Sequence, residues 1–277
     1  MIKATPADAS RIMAFLLARA TVAMFAITNL RDHGMAGGHP KAMTFWINDE
    51  NGQITDVLGL SESGIVLPVF TSAYVDVRGA LAGQSIMGVI GQNTPVQSVK
   101  EQLGLPLGDL DRVEPHFELA LDALQMPANE GFSILPVAAV ARETLIVWRT
   151  QYGIDALNLE PTEAAVQANG AIDAMVANDS HRVLMAGDTP VAMTGFNAVL
   201  SETVMVGGVY TPAAARGKGY AKVALALHLA DAHLKGVKRA VLSAANVSAA
   251  RAYSAIGFRQ VGEFGLVMYH NPQVAHV

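Results

Sequence analysis

Apolar and polar positions recur with two periods along this chain, and the switch between them marks its elements. Ile12 to Leu30 is mostly apolar, punctuated by Arg19, Thr21, Thr28 and Asn29. It reads as one buried amphipathic helix that opens at Pro6-Ala7-Asp8 and closes at Asp32-His33-Gly34. A membrane span wants about 20 uninterrupted apolar residues, and a signal peptide wants a basic start without acid. Gly37-Gly38-His39-Pro40 is a loop, Thr44 to Asn48 is strand-like and Asn51-Gly52 is a hairpin turn. Ile54 to Thr71 carries one or two more strands, and Ile86 to Ile90 another. Gly91 to Pro95 leads into a helix, Val96 to Leu103, capped by Gly104, and His116 to Gln125 is read as a strand.

In the second half, Ala139 to Tyr152 is a connecting strand or helix, broken at Asn158 to Pro161. Thr162 to Ala177 is helical by its apolar period, with Thr162 as cap. Val183 to Ala186, Ala192 to Leu200 and Thr203 to Tyr210 form a meander whose first turn is Asp188-Thr189-Pro190. A helix from Tyr220 to Lys235 stops at Gly236, and Ala240 to Ala244 is a short buried strand. Arg259 to Tyr269 is a last strand, broken by Gly262 and Gly265. The fold class is α/β (α+β), a mixed sheet flanked by helices.

The 277 residues suit two domains, with 1–135 and 136–277 as the expected division. Only 16% are charged, against about 25% in an average soluble protein, so a core is easily built. Net charge is −5 with no basic block, which argues against nucleic acid. The chain has no Cys, which excludes disulfides, thiolate metal sites and a Cys acyl-enzyme, and is compatible with the cytoplasm.

The chemistry concentrates between Val206 and Ala221. A β-branched strand ends in Gly207-Gly208, then come a Thr-Pro turn, a basic Gly-rich loop and a long apolar helix. A strand–loop–helix unit of this kind offers free N–H groups and the positive end of a helix dipole to an anion. The nucleotide triphosphatase loop is excluded because Lys218 is followed by Gly219 and not by Ser or Thr. The dinucleotide fingerprint is excluded because Lys222 stands at its third Gly. The pattern R-x-x-G-x-G/A is the third phosphate loop, carried by the run Arg216-Gly217-Lys218-Gly219-Tyr220-Ala221. A second signature follows: Asn246, a short helix with Ala252 and Tyr253, then Gly257-Phe258.

Together these two segments resemble the GNAT superfamily of acyl-CoA-dependent N-acetyltransferases, over roughly Thr162 to Tyr269. The resemblance implies a mostly antiparallel sheet and direct acetyl transfer from acetyl-CoA, as co-substrate, to an amine. It places pantetheine contacts at Gly208, Val209, Tyr210 and Thr211, and the pyrophosphate on Arg216, Gly217, Lys218, Gly219, Tyr220 and Ala221. Asn246 lies near the CoA arm or simply caps its helix. Tyr253 is the expected general acid for the departing thiolate.

The general base is not readable: Glu202 lies upstream of the loop, and Glu160, His181 and Glu263 are loose candidates. His228 and His233, five apart on a helix, are read as structural, with no metal. The N-terminal order mirrors the C-terminal half, with the loop after Ile90 standing where a phosphate loop would. This suggests a degenerate first repeat in tandem; an unrelated α/β extension is the alternative. The expected acceptor is a small or amino-acid-like amine. Alternatives are a peptide amine, a longer acyl donor, or a CoA-binding sensor without turnover. Neither nucleic acid nor membrane is expected as a partner, and the chain is read as a monomer or homodimer.

Overall fold

The computed structural model describes residues 1–35 and 37–275. The N-terminal half runs β1 (Ile2–Lys3), α1 (Ala9–Leu17), α2 (Ala20–His33), β2 (Met43–Glu50), β3 (Gln53–Ser61), β4 (Ile65–Phe70), α3 (Arg78–Leu81), β5 (Ser85–Gln92), α4 (Asn93–Leu103) and β6 (Leu110–Ala120). The C-terminal half runs β7 (Phe132–Pro136), α5 (Arg142–Leu157), α6 (Pro161–Ala177), β8 (His181–Ala186), β9 (Thr189–Val199), β10 (Thr203–Tyr210), α7 (Tyr220–Leu234), β11 (Arg239–Ser243), α8 (Val247–Ser254) and β12 (Arg259–Val274).

These elements form two compact units, Met1–Pro115 with Gly262–Val277, and His116–Val261. They do not follow a single cut after residue 135, because the chain changes unit inside β6 and again inside β12. In the first unit the strand order is β1-β2-β3-β4-β5-β12, with β4–β5 parallel and the other pairings antiparallel. In the second it is β7-β8-β9-β10-β11-β6, with β10–β11 parallel and the other pairings antiparallel. One topology is thus used twice: a strand, two helices, three antiparallel strands, a helix, a parallel strand, a helix and a closing strand. Each unit closes its sheet with the strand that follows the other unit's last helix.

The repeat is legible in detail once the elements are paired. Asn93 opens α4 and Gly104, in the left-handed region, ends it; Asn246 caps α8 and Gly257, also at positive φ, follows it at the same spacing. The loop after Ile90 therefore matches the segment around Asn246 and not the phosphate loop. The counterpart of the phosphate loop is the stretch after Phe70, where the following helix α3 is a single turn.

Sidedness follows from the apolar periods. In the second unit Leu225, Ala226 and Leu229 of α7 pack on Val204, Val206, Ala240 and Leu242. The opposite face carries Val183, Met193 and Tyr210 under Leu145 and Trp148 of α5 and Ile172 and Met175 of α6. In the first unit Val96, Val99 and Leu103 present one stripe of α4 to Ile86, Val89 and Val267.

Several local expectations change. The Ile12–Leu30 helix is two helices, because the backbone leaves helical geometry at Arg19 (φ −125°, ψ 30°), whose guanidinium lies over the Phe15 ring. Glu160, not Thr162, precedes the first turn of α6, with Pro161 at the position where a missing N–H costs nothing. Gly187 makes the positive-φ turn between β8 and β9, so Thr189 and Pro190 are already strand. Gly262 and Gly265 do not break β12; a side chain at Gly265 would collide with Val96. Ala139–Tyr152 resolves as the helix α5, and His116–Gln125 as the end of β6 with a helical turn. The strands β1 and β7 are too short or too ordinary in composition to stand out in the pattern.

Candidate functional site

The site is built where β10 parts from β11. The two strands pair in parallel only through Thr203–Arg239, Val204–Ala240 and Met205–Val241, although β10 continues to Tyr210. On its other side β10 bulges against β9: Gly207 pairs with Gly195 and Tyr210 with Met193, three steps against two. Gly208 sits in this bulge at φ +63°. The Gly207-Gly208 pair that ends the β-branched run is thus a β-bulge. Val209 packs partly buried, and Tyr210 is buried with its ring 6.1 Å from that of Trp148. The Thr211 hydroxyl is buried and, among the described residues, has no hydrogen-bond partner.

Past Pro212 the chain makes a helical turn and enters the loop. Gly217 (φ +80°) and Gly219 (φ +79°) both take left-handed backbone, and a Cβ at Gly217 would meet nothing within 4 Å. Among the described residues, the N–H groups of Gly217, Lys218 and Gly219 donate to no protein acceptor. No side chain caps α7, which starts at Tyr220 and Ala221. Free N–H groups around positive-φ glycines at a helix N-terminus are an arrangement suited to an anion. Lys218 is exposed, and Tyr220 leans edge-on against Phe132 at 5.6 Å. Arg216 is engaged: its Nη2 lies 2.7 Å from Asp155 Oδ2, and its Nε donates to the Thr211 carbonyl at 3.0 Å.

Asn246 caps α8, its Oδ1 accepting from Ala249 N–H at 2.9 Å. Tyr253 is buried on α8, its ring 6.1 Å from Phe258.

The loose base candidates separate. Glu202 is paired with Lys238, Glu160 is exposed before α6, and Glu263 belongs to the other unit, where it accepts from Asn93 Nδ2 at 3.0 Å. His181 alone reaches the bulge. Its β8 position pairs with Gly195, and a Cβ there would lie 2.2 Å from the imidazole; a Cβ on Gly208 would lie 2.6 Å from Nε2. Two glycines on neighbouring strands thus make the trough in which the ring lies. Its Nδ1 is 2.8 Å from Ser180 Oγ. Burial, followed by the charges of Arg149 and Arg182, lowers the His181 pKa to about 4.

Of the two helix histidines, His228 stacks on Phe196 at 3.9 Å and His233 Nδ1 donates to the Val237 carbonyl at 2.9 Å. Among the described residues there is no group of three or more His, Asp or Glu side chains arranged to hold a metal, and no helix is long and apolar enough to cross a membrane.

Residues 148–258 match the acetyltransferase (GNAT) family. The chain therefore carries a GNAT acetyltransferase domain, which spans the bulge, the loop and the second signature. That family's chemistry is acyl transfer from acyl-CoA to an amine. The whole chain is similar to a tandem GNAT protein from the clavulanic acid biosynthesis pathway, at 13% identity and a TM-score of 0.56, covering 96% of this chain and 97% of that one. It is also similar to a Drosophila protein (11% identity, TM-score 0.64, 96% and 97% covered). A GCN5-related N-acetyltransferase from Sphaerobacter thermophilus gives 14% identity, a TM-score of 0.55, and 96% and 93% coverage. No curated protein sequence matches. At these identities the likeness defines the fold, and the tandem arrangement agrees with the repeated topology.

Proposed function

We propose that the second unit transfers an acetyl group from acetyl-CoA to the primary amine of a small, amino-acid-like acceptor. The observation that carries this reading is the open cradle of N–H groups at Gly217–Gly219, set directly beyond the point where β10 parts from β11. The cradle accommodates a pyrophosphate. The edge of β10 that has left β11, from Gly208 to Tyr210, and Thr211 beyond it with its unsatisfied hydroxyl, offer main-chain and side-chain partners to the amide groups of a pantetheine arm.

In the reaction the neutral amine nitrogen forms a bond to the thioester carbon, and the carbon–sulfur bond breaks in the same ternary complex. The amine gives up one proton and the departing thiolate takes one. Main-chain N–H donors at the bulge stabilise the oxyanion. Tyr253 supplies a hydrogen bond or proton to the thiolate, and Asn246, besides capping α8, borders the arm with its amide NH2. His181 is neutral at pH 7 and too weak a base to strip an ammonium outright. It suits a hydrogen bond to the incoming nitrogen.

Calorimetric titration with acetyl-CoA tests the reading. The unaltered protein is expected to bind, and Gly219→Asp and Lys218→Glu to weaken or abolish binding while melting cooperatively. Absence of binding, or unchanged affinity in both variants, would sink it. Binding without transfer to any amine would favour a CoA sensor.

A further inference from the structure

Helix α5 brings a second functional group over the same bulge. Trp148 packs on Tyr210, and Asp155 holds Arg216, so the stripe 148, 152, 155 lies along the end of β10. Arg149, next to Trp148, is partly buried. Its guanidinium lies 5.3 Å from the centre of the Tyr152 ring. Among the described residues it has no hydrogen-bond acceptor and no carboxylate partner, whereas the neighbouring Arg182 is satisfied by Asp179 at 2.7 Å. Burial pulls the Arg149 pKa down, and the Tyr152 phenol opposes it only in part. A partly desolvated cation without a counter-ion costs stability, and such a cost persists where a ligand supplies the missing charge.

Resting on the acyltransferase reading above, we propose that Arg149 is the binding group for a carboxylate on the amine acceptor, so that the substrates are amino acids or close derivatives. Three observations converge. Among the described residues the guanidinium has the Tyr152 ring beside it and no carboxylate partner. The Arg149 guanidinium lies over Tyr152, which packs against the cluster holding Tyr210 and Met193 at the bulge, and its charge is felt at His181, whose ring occupies the trough of Gly195 and reaches Gly208. Of the two arginines that bear on His181, Arg182 is paired with Asp179, and Arg149 is the one without a carboxylate partner among the described residues. One planar guanidinium matches one carboxylate through two parallel N–H···O bonds. A phosphate dianion would leave a charge uncompensated there.

The test compares acceptors that differ only in the anion. Thiol release from acetyl-CoA is followed with the twenty amino acids and β-alanine, with their primary amides, and with aminoethylphosphonate. The expected result is transfer to at least one free amino acid and at least about tenfold lower kcat/KM for its amide, as for a site built to pair a charge. Arg149→Gln is expected to raise KM for that amino acid about tenfold or more, to leave kcat within about threefold, and to remove the discrimination against the amide. Acetyl-CoA affinity stays unchanged in Arg149→Gln. Arg149→Lys, which keeps the charge and loses the fork, falls between, and guards against a folding defect.

A preference for amides or for aminoethylphosphonate, transfer to neutral amines alone or to none of the panel, or an Arg149→Gln variant with unchanged KM would overturn the proposal. Each of those leaves the acyl-CoA reading standing so long as acetyl-CoA binds. Loss of acetyl-CoA binding by the unaltered protein would instead remove the reading beneath it.

Discussion

Arg216 Nη2 lies 2.7 Å from Asp155 Oδ2, so the first residue of the proposed anion loop is tied to α5. Arg216 holds the Asp155 carboxyl below its ordinary pKa, and the carboxylate keeps negative charge beside the cradle. Asp155→Asn removes that charge and keeps the shape. Acetyl-CoA affinity in this variant is expected to rise about threefold, a small effect because the pair is half-exposed and screened. Raised salt is expected to shrink the difference. A weaker affinity in Asp155→Asn by calorimetry would mean that the carboxylate orients Arg216 for the ligand and does not compete with it.

The proposed loop could be read from sequence because its features are local: Gly217 and Gly219 take positive φ, and among the described residues the N–H groups of Gly217, Lys218 and Gly219 donate to no protein acceptor. Gly207-Gly208 stood out for the same reason, as a glycine pair closing a buried β-branched run, while the bulge itself is set by register against β9. His181 could be named from sequence but not placed, because its position depends on Gly195 and Gly208, residues 14 and 27 positions away that only strand pairing brings together. Arg149 carried no signal, since an unpaired arginine is defined by what the fold fails to put beside it. The strand exchange was hidden too. A closing strand looks alike whichever sheet it joins, and β6 and β12 declare their partners only through register with β11 and β5.

Two buried histidines make the fold sensitive to acid. The His181 pKa is lowered to about 4 by burial, then by Arg149 of α5 and Arg182 of β8. The His228 pKa is lowered to about 3 by burial, then by Arg182 and His181, with Asp231 opposing and Lys235 reinforcing them. Both groups bind a proton in the unfolded chain near pH 6.5 and resist it in the folded one. Between about pH 6.5 and 4 the unfolded state therefore holds more protons, and stability falls as pH falls. The loss is expected to reach several kcal/mol, because each tenfold weakening of a group's proton affinity on folding is worth about 1.4 kcal/mol. Urea midpoints measured from about pH 7 to 4.5 are expected to drop steadily, and His228→Leu to flatten the curve. A midpoint independent of pH across that range would contradict the burial of neutral imidazoles.

The two units share a topology but differ where an anion would sit. In the first, the counterpart of the anion loop is pinned from beneath by Asp56, fully buried, whose Oδ1 accepts from the N–H groups of Thr71 at 2.8 Å and Ser72 at 2.9 Å. Burial pushes that carboxyl up, yet the donors from Ser72, Asn48 and Thr71 outweigh it, and it stays ionised at neutral pH. The N–H groups that could cradle a phosphate there are already used, by a negative charge. Asp76 is paired with Arg78 at 2.9 Å, which holds its carboxyl down to about 2 and also occupies that arginine. The strands β4 and β5 still part beyond Val66 and Val89, and a cavity of about 350 Å³ opens at their ends, lined by Phe70, Ser72, Gln92, Asn93 and Glu263. Among the described residues, no lysine or arginine lines it to meet a pyrophosphate. Acetyl-CoA is therefore expected to titrate with a stoichiometry of one per chain, lost together with the second-unit loop in Gly219→Asp. A stoichiometry of two, or a residual site of equal affinity in that variant, would show that the first unit binds acyl-CoA without a phosphate cradle.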